Sequence, residues 1–320
     1  MEHSLSLASN LLSPIILMFV LGIIASLVRS DLKLPEPMYN GLSIYLLLAI
    51  GLKGGVELHK TPLSDFVWPA LITLFLGVLT PIIAYNILRR LGRFDRINAA
   101  AIAAHYGSVS AVTFIVAIAY GTMTGRTPEG FMPALVAILE IPAIVVGIMI
   151  AFTRGKRAGS WQESLHEALA GRSIMLLGGG LLIGWIAGPS GFEPILPFFE
   201  TGFQGALALF LLEMGIITAR RLKGLKEVGG FLIAFGILVP ILHGFLAVWL
   251  GSIAGLTLAG SAVLGAMVSS ASYIAAPAAI RIALPEANPT FYLTASLGIT
   301  FPFNITLGIP LYFVFAEWIF

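Results

Sequence analysis

His105-Tyr106-Gly107-Ser108-Val109-Ser110-Ala111-Val112-Thr113 breaks one apolar run of this chain with small, hydroxyl-bearing residues. Far downstream, Val268-Ser269-Ser270-Ala271-Ser272-Tyr273-Ile274-Ala275-Ala276-Pro277 breaks another in the same way. Each broken run is followed by an apolar segment with an internal proline, Glu140-Ile141-Pro142-Ala143 after the first and Thr300-Phe301-Pro302-Phe303-Asn304 after the second. This correspondence points to a duplication. Paired interrupted segments in the two halves of a hydrophobic chain are the sequence mark of a secondary transporter's binding site, because broken helices free backbone groups at membrane depth.

The rest of the chain places these breaks in lipid. Of its 320 residues 58% are hydrophobic and only 11% charged, and the mean hydropathy is +0.96. A soluble domain carries about a quarter charged residues. Apolar runs near the ~20 residues that cross a hydrocarbon core predict ten helices, over 10–29, 38–52, 66–88, 97–121, 130–152, 172–188, 201–217, 229–251, 257–282 and 290–314. The fold class is therefore an all-α polytopic membrane protein. Turn and charge clusters such as Gly188-Pro189-Ser190-Gly191 and Pro285-Glu286-Ala287-Asn288-Pro289 separate the runs.

Lys and Arg set the orientation. Alternate connections carry Arg29, Lys33, Arg89, Arg90, Arg93, Arg96, Arg154, Lys156, Arg157, Arg172, Arg220, Arg221, Lys223, Lys226 and Arg281 on one side, and only Lys53, Lys60 and Arg126 on the other. The first set belongs in the cytoplasm, so both termini lie outside. The first run lacks the basic flank and cleavage site of a signal peptide and is read as the first span. Five helices per half make the second half start on the opposite side, giving a 5+5 inverted-topology repeat: 1–152, a cytoplasmic linker over 153–171 with a surface helix from Trp161 to Ala170, and 172–320. The absence of cysteine excludes disulfides and thiolate metal sites. The net charge of +2 is the positive-inside bias and implies no nucleic-acid partner.

At each break the following half-helix directs free N–H groups and a partial positive charge into the gap, which suits a small anion. Gly107, Ser108 and Ser110 in one half, with Ser269, Ser270 and Ser272 in the other, are the candidate anion ligands. The alternative is that these small residues only allow close helix packing. Glu140 is a carboxylate near the middle of the run Phe131 to Phe152, and burying it costs at least ~2.5 kcal/mol. A bound cation would offset that cost. Na⁺ suits an oxygen-only site formed with Thr113, Thr300 and Asn304; a proton-carrying or a hydrogen-bonded structural Glu140 are the alternatives. Glu213 is expected to pair with Arg220 or Arg221, His105 and His243 are read as hydrogen-bonded helix contacts, and Gly180, Gly184 and Gly188 suggest a packing face.

Enzyme constellations are missing from the sequence. His166-Glu167 lacks a second histidine at zinc spacing, since residue 170 is Ala170, and there is no G-x-S-x-G motif, phosphate-binding loop or nucleotide fingerprint. The chain is expected to be no enzyme, to hold no transition metal and to need no cofactor beyond Na⁺ as coupling ion.

The chain resembles the bacterial SbtA-type sodium-dependent bicarbonate transporters. The resemblance is carried by Ile50-Gly51-Leu52-Lys53-Gly54-Gly55, Tyr106 to Thr113, Glu140-Ile141-Pro142-Ala143, Pro240 to Gly244 and Ser269 to Pro289. It implies a homotrimer in the cytoplasmic (inner) membrane and an elevator-like movement of a core, 66–152 and 229–320, past a scaffold, 1–65 and 172–228. It also implies an anion between the broken fourth and ninth helices with Na⁺ beside it, and in some members a cytoplasmic nucleotide-sensing regulatory protein. Departures from the family pattern are Ser272 for an aspartate, Phe301 for a threonine, Ile217 for a glutamate, and a short linker. The expected function is Na⁺ symport of a small anion, bicarbonate first. A Na⁺- or H⁺-coupled carrier of a short carboxylate or sulfate, an anion channel and a membrane sensor are the competitors.

Overall fold

The computed structural model describes residues 13–152, 163, 166, 169–222 and 224–320. Most of the linker, with the surface helix expected from Trp161 to Ala170, lies outside the described residues, as do residues 10–12 at the start of the first expected span. Among the described residues the chain is all helix, without a strand. We number its helices α1 Pro14–Leu27, α2 Glu36–Lys60, α3 Leu63–Arg90, α4 Arg96–Gly107, α5 Ala111–Met123, α6 Met132–Glu140, α7 Pro142–Phe152, α8 Arg172–Phe192, α9 Leu196–Thr201, α10 Phe203–Leu222, α11 Leu225–Ile253, α12 Leu258–Val268, α13 Ala275–Ala283 and α14 Pro289–Ile319. Eight stretches are long and apolar enough to cross a membrane, with α4–α5, α6–α7 and α8–α9 each counted as one; α1 and α12 are shorter apolar helices. The chain is a multi-pass membrane protein.

Several expected boundaries move. The second helix does not stop at residue 52 but runs on to Lys60, because Gly54, Gly55 and Val56 are buried, with Gly55 packed on the Leu181 carbonyl of α8, while its charges pair at the surface, Lys53 with Glu200 at 3.1 Å and Lys60 with Glu57 at 2.8 Å. At Gly188-Pro189, where the sequence places a helix end, two helical stretches meet at a kink within α8. Gly188 adopts φ 60°, which glycine alone adopts without strain, and Pro189 follows with no N–H to give.

Close packing comes from glycine. A Cβ at Gly184 would strike the Leu52 carbonyl, and one at Gly55 the Leu181 carbonyl, so α2 and α8 touch backbone to backbone. Gly22 and Gly215 do the same for α1 and α10. The packing face expected at Gly180 and Gly184 is present, lying on Gly51 and Leu52. Where apolar burial cannot tell one helix from lipid, such small-residue approach is what holds helices together.

The broken helices exchange their halves between two apolar clusters. Ala99 to Ala104 and Tyr106 of α4 share one cluster with Ala276, Ala279 and Ile280 of α13. Phe114 to Ala117 of α5 share the other with Ala262 to Leu264 and Met267 of α12. Both breaks therefore sit at the junction of the two clusters. Each broken unit starts on a capped end: the Asp95 side chain accepts from Asn98 N at 2.9 Å, and the Thr257 side chain from Gly260 N at 3.1 Å.

Candidate functional site

The two breaks meet and complete each other's hydrogen bonds. An unbroken helix would pair the Ser110 N–H with the Tyr106 carbonyl; instead it donates to Ser270 Oγ at 2.8 Å, and that hydroxyl donates to the Met267 carbonyl at 2.6 Å. In the reverse direction the Ser272 N–H donates to the His105 carbonyl at 2.9 Å. Ser108, Ser110, Ser269, Ser270 and Ser272 are all at most 4% exposed. They lie together at mid-molecule, out of contact with solvent.

Their hydroxyls are not equivalent. Ser108 donates to the Glu140 carbonyl at 3.0 Å, Ser269 to the Ala266 carbonyl at 3.0 Å, and Ser270 to Met267 as above. Those three hydrogens are committed. Ser110 Oγ accepts from the Thr113 N–H at 3.2 Å as the cap of α5, and Ser272 Oγ accepts from the Ala276 N–H at 3.2 Å in the first turn of α13. Neither hydroxyl gives its O–H to a backbone carbonyl. The buried Tyr273 hydroxyl lies beside Ser110 and is the polar group nearest its O–H. Gly107 plays a packing part, since a Cβ there would meet Pro81 and, at 2.7 Å, Ala143.

The four oxygens expected to hold Na⁺ divide into two kinds. Glu140, the last residue of α6, is 4% exposed with Oε2 unpartnered and the Ser173 hydroxyl beside its carboxyl. Thr113 Oγ1 is likewise buried and unpartnered. Thr300 and Asn304 are already engaged. Pro240 has no N–H, which leaves the Gly236 carbonyl of α11 without its helical donor, and Thr300 Oγ1 supplies one at 2.7 Å while bonding the Tyr106 hydroxyl at 2.6 Å. Asn304 Nδ2 donates to the Ser269 carbonyl at 3.1 Å, and its Oδ1 accepts from the Tyr312 hydroxyl at 2.8 Å. No hydrogen bond joins Glu140 to Thr300 or Asn304. Both of the latter sit in the π-helical stretches Thr294–Thr300 and Asn304–Gly308 of α14, a geometry frequent at functional sites.

One sequence reading changes here. Glu213 forms no ion pair with Arg220 or Arg221; its Oε2 accepts the Leu34 N–H at 2.9 Å, fastening the segment between α1 and α2 to α10. His243 is fully buried against the Tyr106 backbone of α4, a helix contact of the kind expected for it. Tyr106, Tyr273 and Tyr312, which the sequence reading passed over, surround the breaks. The only signal available for them was an aromatic hydroxyl next to a run of small residues.

No group of three or more His, Asp or Glu able to hold a metal occurs among the described residues. The oxygen donors that do occur are hydroxyls, carbonyls and single carboxylates, gathered where two helices break inside a membrane protein. Over residues 14–317 the chain matches the Na⁺-dependent bicarbonate transporter superfamily, and it belongs to that family of transporters. Comparison with curated proteins gives no match.

Proposed function

We propose that this protein is a secondary active symporter that carries a small monovalent anion, bicarbonate first, together with Na⁺ across the bacterial cytoplasmic membrane. The observation that carries this reading is the meeting of the two breaks. Two serine hydroxyls that give no O–H to a backbone carbonyl, Ser110 capping α5 and Ser272 bonding the first turn of α13, sit where helix N-termini favour negative charge. The anion lies between them and is held without an arginine, weakly enough to be released. Glu140 and Thr113, whose buried oxygens lack a hydrogen-bond partner, are the Na⁺ ligands in this reading, while Thr300 and Asn304 anchor the second break.

The exchange of half-helices between two clusters supports a 5+5 inverted repeat of ten helices, with α4–α5 as the fourth and α12–α13 as the ninth. Helices α3 and α11 add to it: Gly77 and Pro81 match Gly236 and Pro240 in spacing and position. Alternating access then follows from the two halves exchanging conformations, as an elevator-like movement of 66–152 and 229–320 against the remainder, in a homotrimer with both termini outside. The test is uptake of radiolabelled bicarbonate, acetate and sulfate into proteoliposomes under an inward Na⁺ gradient. Bicarbonate uptake that needs the gradient is expected; uptake of acetate or sulfate in preference assigns a different anion, and flux indifferent to Na⁺ removes the symport reading.

A further inference from the structure

A cavity of about 320 Å³ runs between α2 and the α5–α6 pair. Its outer rim holds Glu57 and Glu129, and its floor reaches Phe114 and Ile115, in the first turns of the helix that Ser110 caps. Lys53 lies on its wall, two turns inside the end of α2, and also lines a second cavity of about 440 Å³ that opens beside α8 and α9. Lys53 is the one cation on the wall of the first cavity among the described residues. The two acids are engaged elsewhere: Glu57 with Lys60 at 2.8 Å, and Glu129 Oε1 with the Thr257 N–H at 2.6 Å.

From this placement we infer that Lys53 is the first binding group for the anion on its way from the outer face to the breaks, releasing Glu200 to take it. The inference rests on the transport reading above. The Lys53–Glu200 pair spans 3.1 Å with side chains 40% and 48% exposed, and a solvated pair of this kind is held only weakly. A small anion arriving at millimolar concentration replaces Glu200 at little cost. An ammonium is a compact point charge on a flexible stem, which captures an anion without the bidentate grip that would trap it.

The rival role for Lys53 is purely structural, tying α2 to α9, and the two roles predict opposite signs. Bicarbonate uptake at saturating Na⁺ is measured for Lys53→Gln, Glu200→Gln and the exchanged pair Lys53→Glu with Glu200→Lys. Lys53→Gln is expected to raise KM about threefold to fivefold, and Glu200→Gln to lower it, by the size of one exposed charge interaction. The exchanged pair restores the tie but keeps a raised KM. Equal shifts for the two single variants, or a parental KM for the exchanged pair, overturn the inference.

A second arm does not depend on transport. The chain has no cysteine, so Ile118→Cys on the cavity wall is a unique thiol. Its rate of modification by an anionic sulfonate-bearing thiol reagent, relative to a cationic one, should fall about threefold or more when Lys53→Gln is added. An unchanged ratio removes Lys53 as the attractor. Absence of any bicarbonate uptake by the parental protein would strike the transport reading, and the labelling ratio would still decide this one.

Discussion

Replacing the five serines of the breaks one at a time should separate them into two groups. Ser110 and Ser272 accept a backbone N–H at 3.2 Å each and give no O–H to a carbonyl, whereas Ser108 and Ser269 have given theirs to carbonyls at 3.0 Å. A hydrogen bond to a charged partner contributes about 1.5–3 kcal/mol, and one between neutral groups about 0.5–1.5 kcal/mol. Ser110→Ala or Ser272→Ala should therefore raise the KM for bicarbonate about 10- to 150-fold. Both also lose a cap contact, an effect of about 1 kcal/mol on stability, which thermal unfolding in detergent measures separately. Ser108→Ala and Ser269→Ala should lower thermal stability while leaving KM within about threefold, because their hydroxyls hold the protein and not the anion. Ser270 stands apart, since its hydroxyl joins the Ser110 N–H to the Met267 carbonyl and its loss loosens both breaks. The assay is initial uptake in proteoliposomes at saturating Na⁺. Equal KM changes at all five positions, or larger ones at Ser108 and Ser269 than at Ser110 and Ser272, would refute this division of the hydroxyls.

Three further outcomes are expected. Glu140→Gln keeps the shape of the side chain but removes the charge at an unpartnered buried oxygen, so the Na⁺ concentration for half-maximal uptake should rise at least tenfold; an unchanged value returns Glu140 to a structural part. Thr300→Val orphans the Tyr106 hydroxyl and the Gly236 carbonyl, each costing about 1–3 kcal/mol, so the unfolding temperature should drop and Thr300→Ser should restore it; a stable valine variant refutes the proline-carbonyl account. With no native cysteine in the chain, Ser4→Cys and Trp318→Cys should both react with an impermeant thiol reagent in intact cells, and protection of both until lysis would reverse the topology.

The helices were legible because lipid imposes length and apolarity on every span, and the breaks because hydroxyl-rich interruptions are rare in such runs. Boundaries were less so. Lys53 and Glu57 read as the end of α2, and only the packing of Gly55 on the Leu181 carbonyl shows why the helix continues. Gly188-Pro189 carries the composition of a loop, and Gly188 does leave the helical path, although the two helical stretches it separates abut at a kink. Within the site, residue type alone separates neither Ser108 from Ser110 nor a glycine for backbone access from one for packing. Gly107 packs on Pro81 and Ala143, contacts set by helices more than twenty residues away in sequence. The pairing of Glu213 was misread for the same reason, as its partner Leu34 lies 179 residues distant. What remained hidden is thus the allocation of hydrogen bonds between segments, which is fixed by tertiary approach and leaves no local pattern.

The central claim is that the anion rests where the two breaks cross. A map of the protein at high resolution by electron microscopy, in Na⁺ with and without bicarbonate, tests it most directly. The account predicts added density in the bicarbonate map between Ser110 Oγ and Ser272 Oγ, beside the first N–H groups of α5 and α13. Added density elsewhere, with the two breaks packed against each other unchanged, would contradict it.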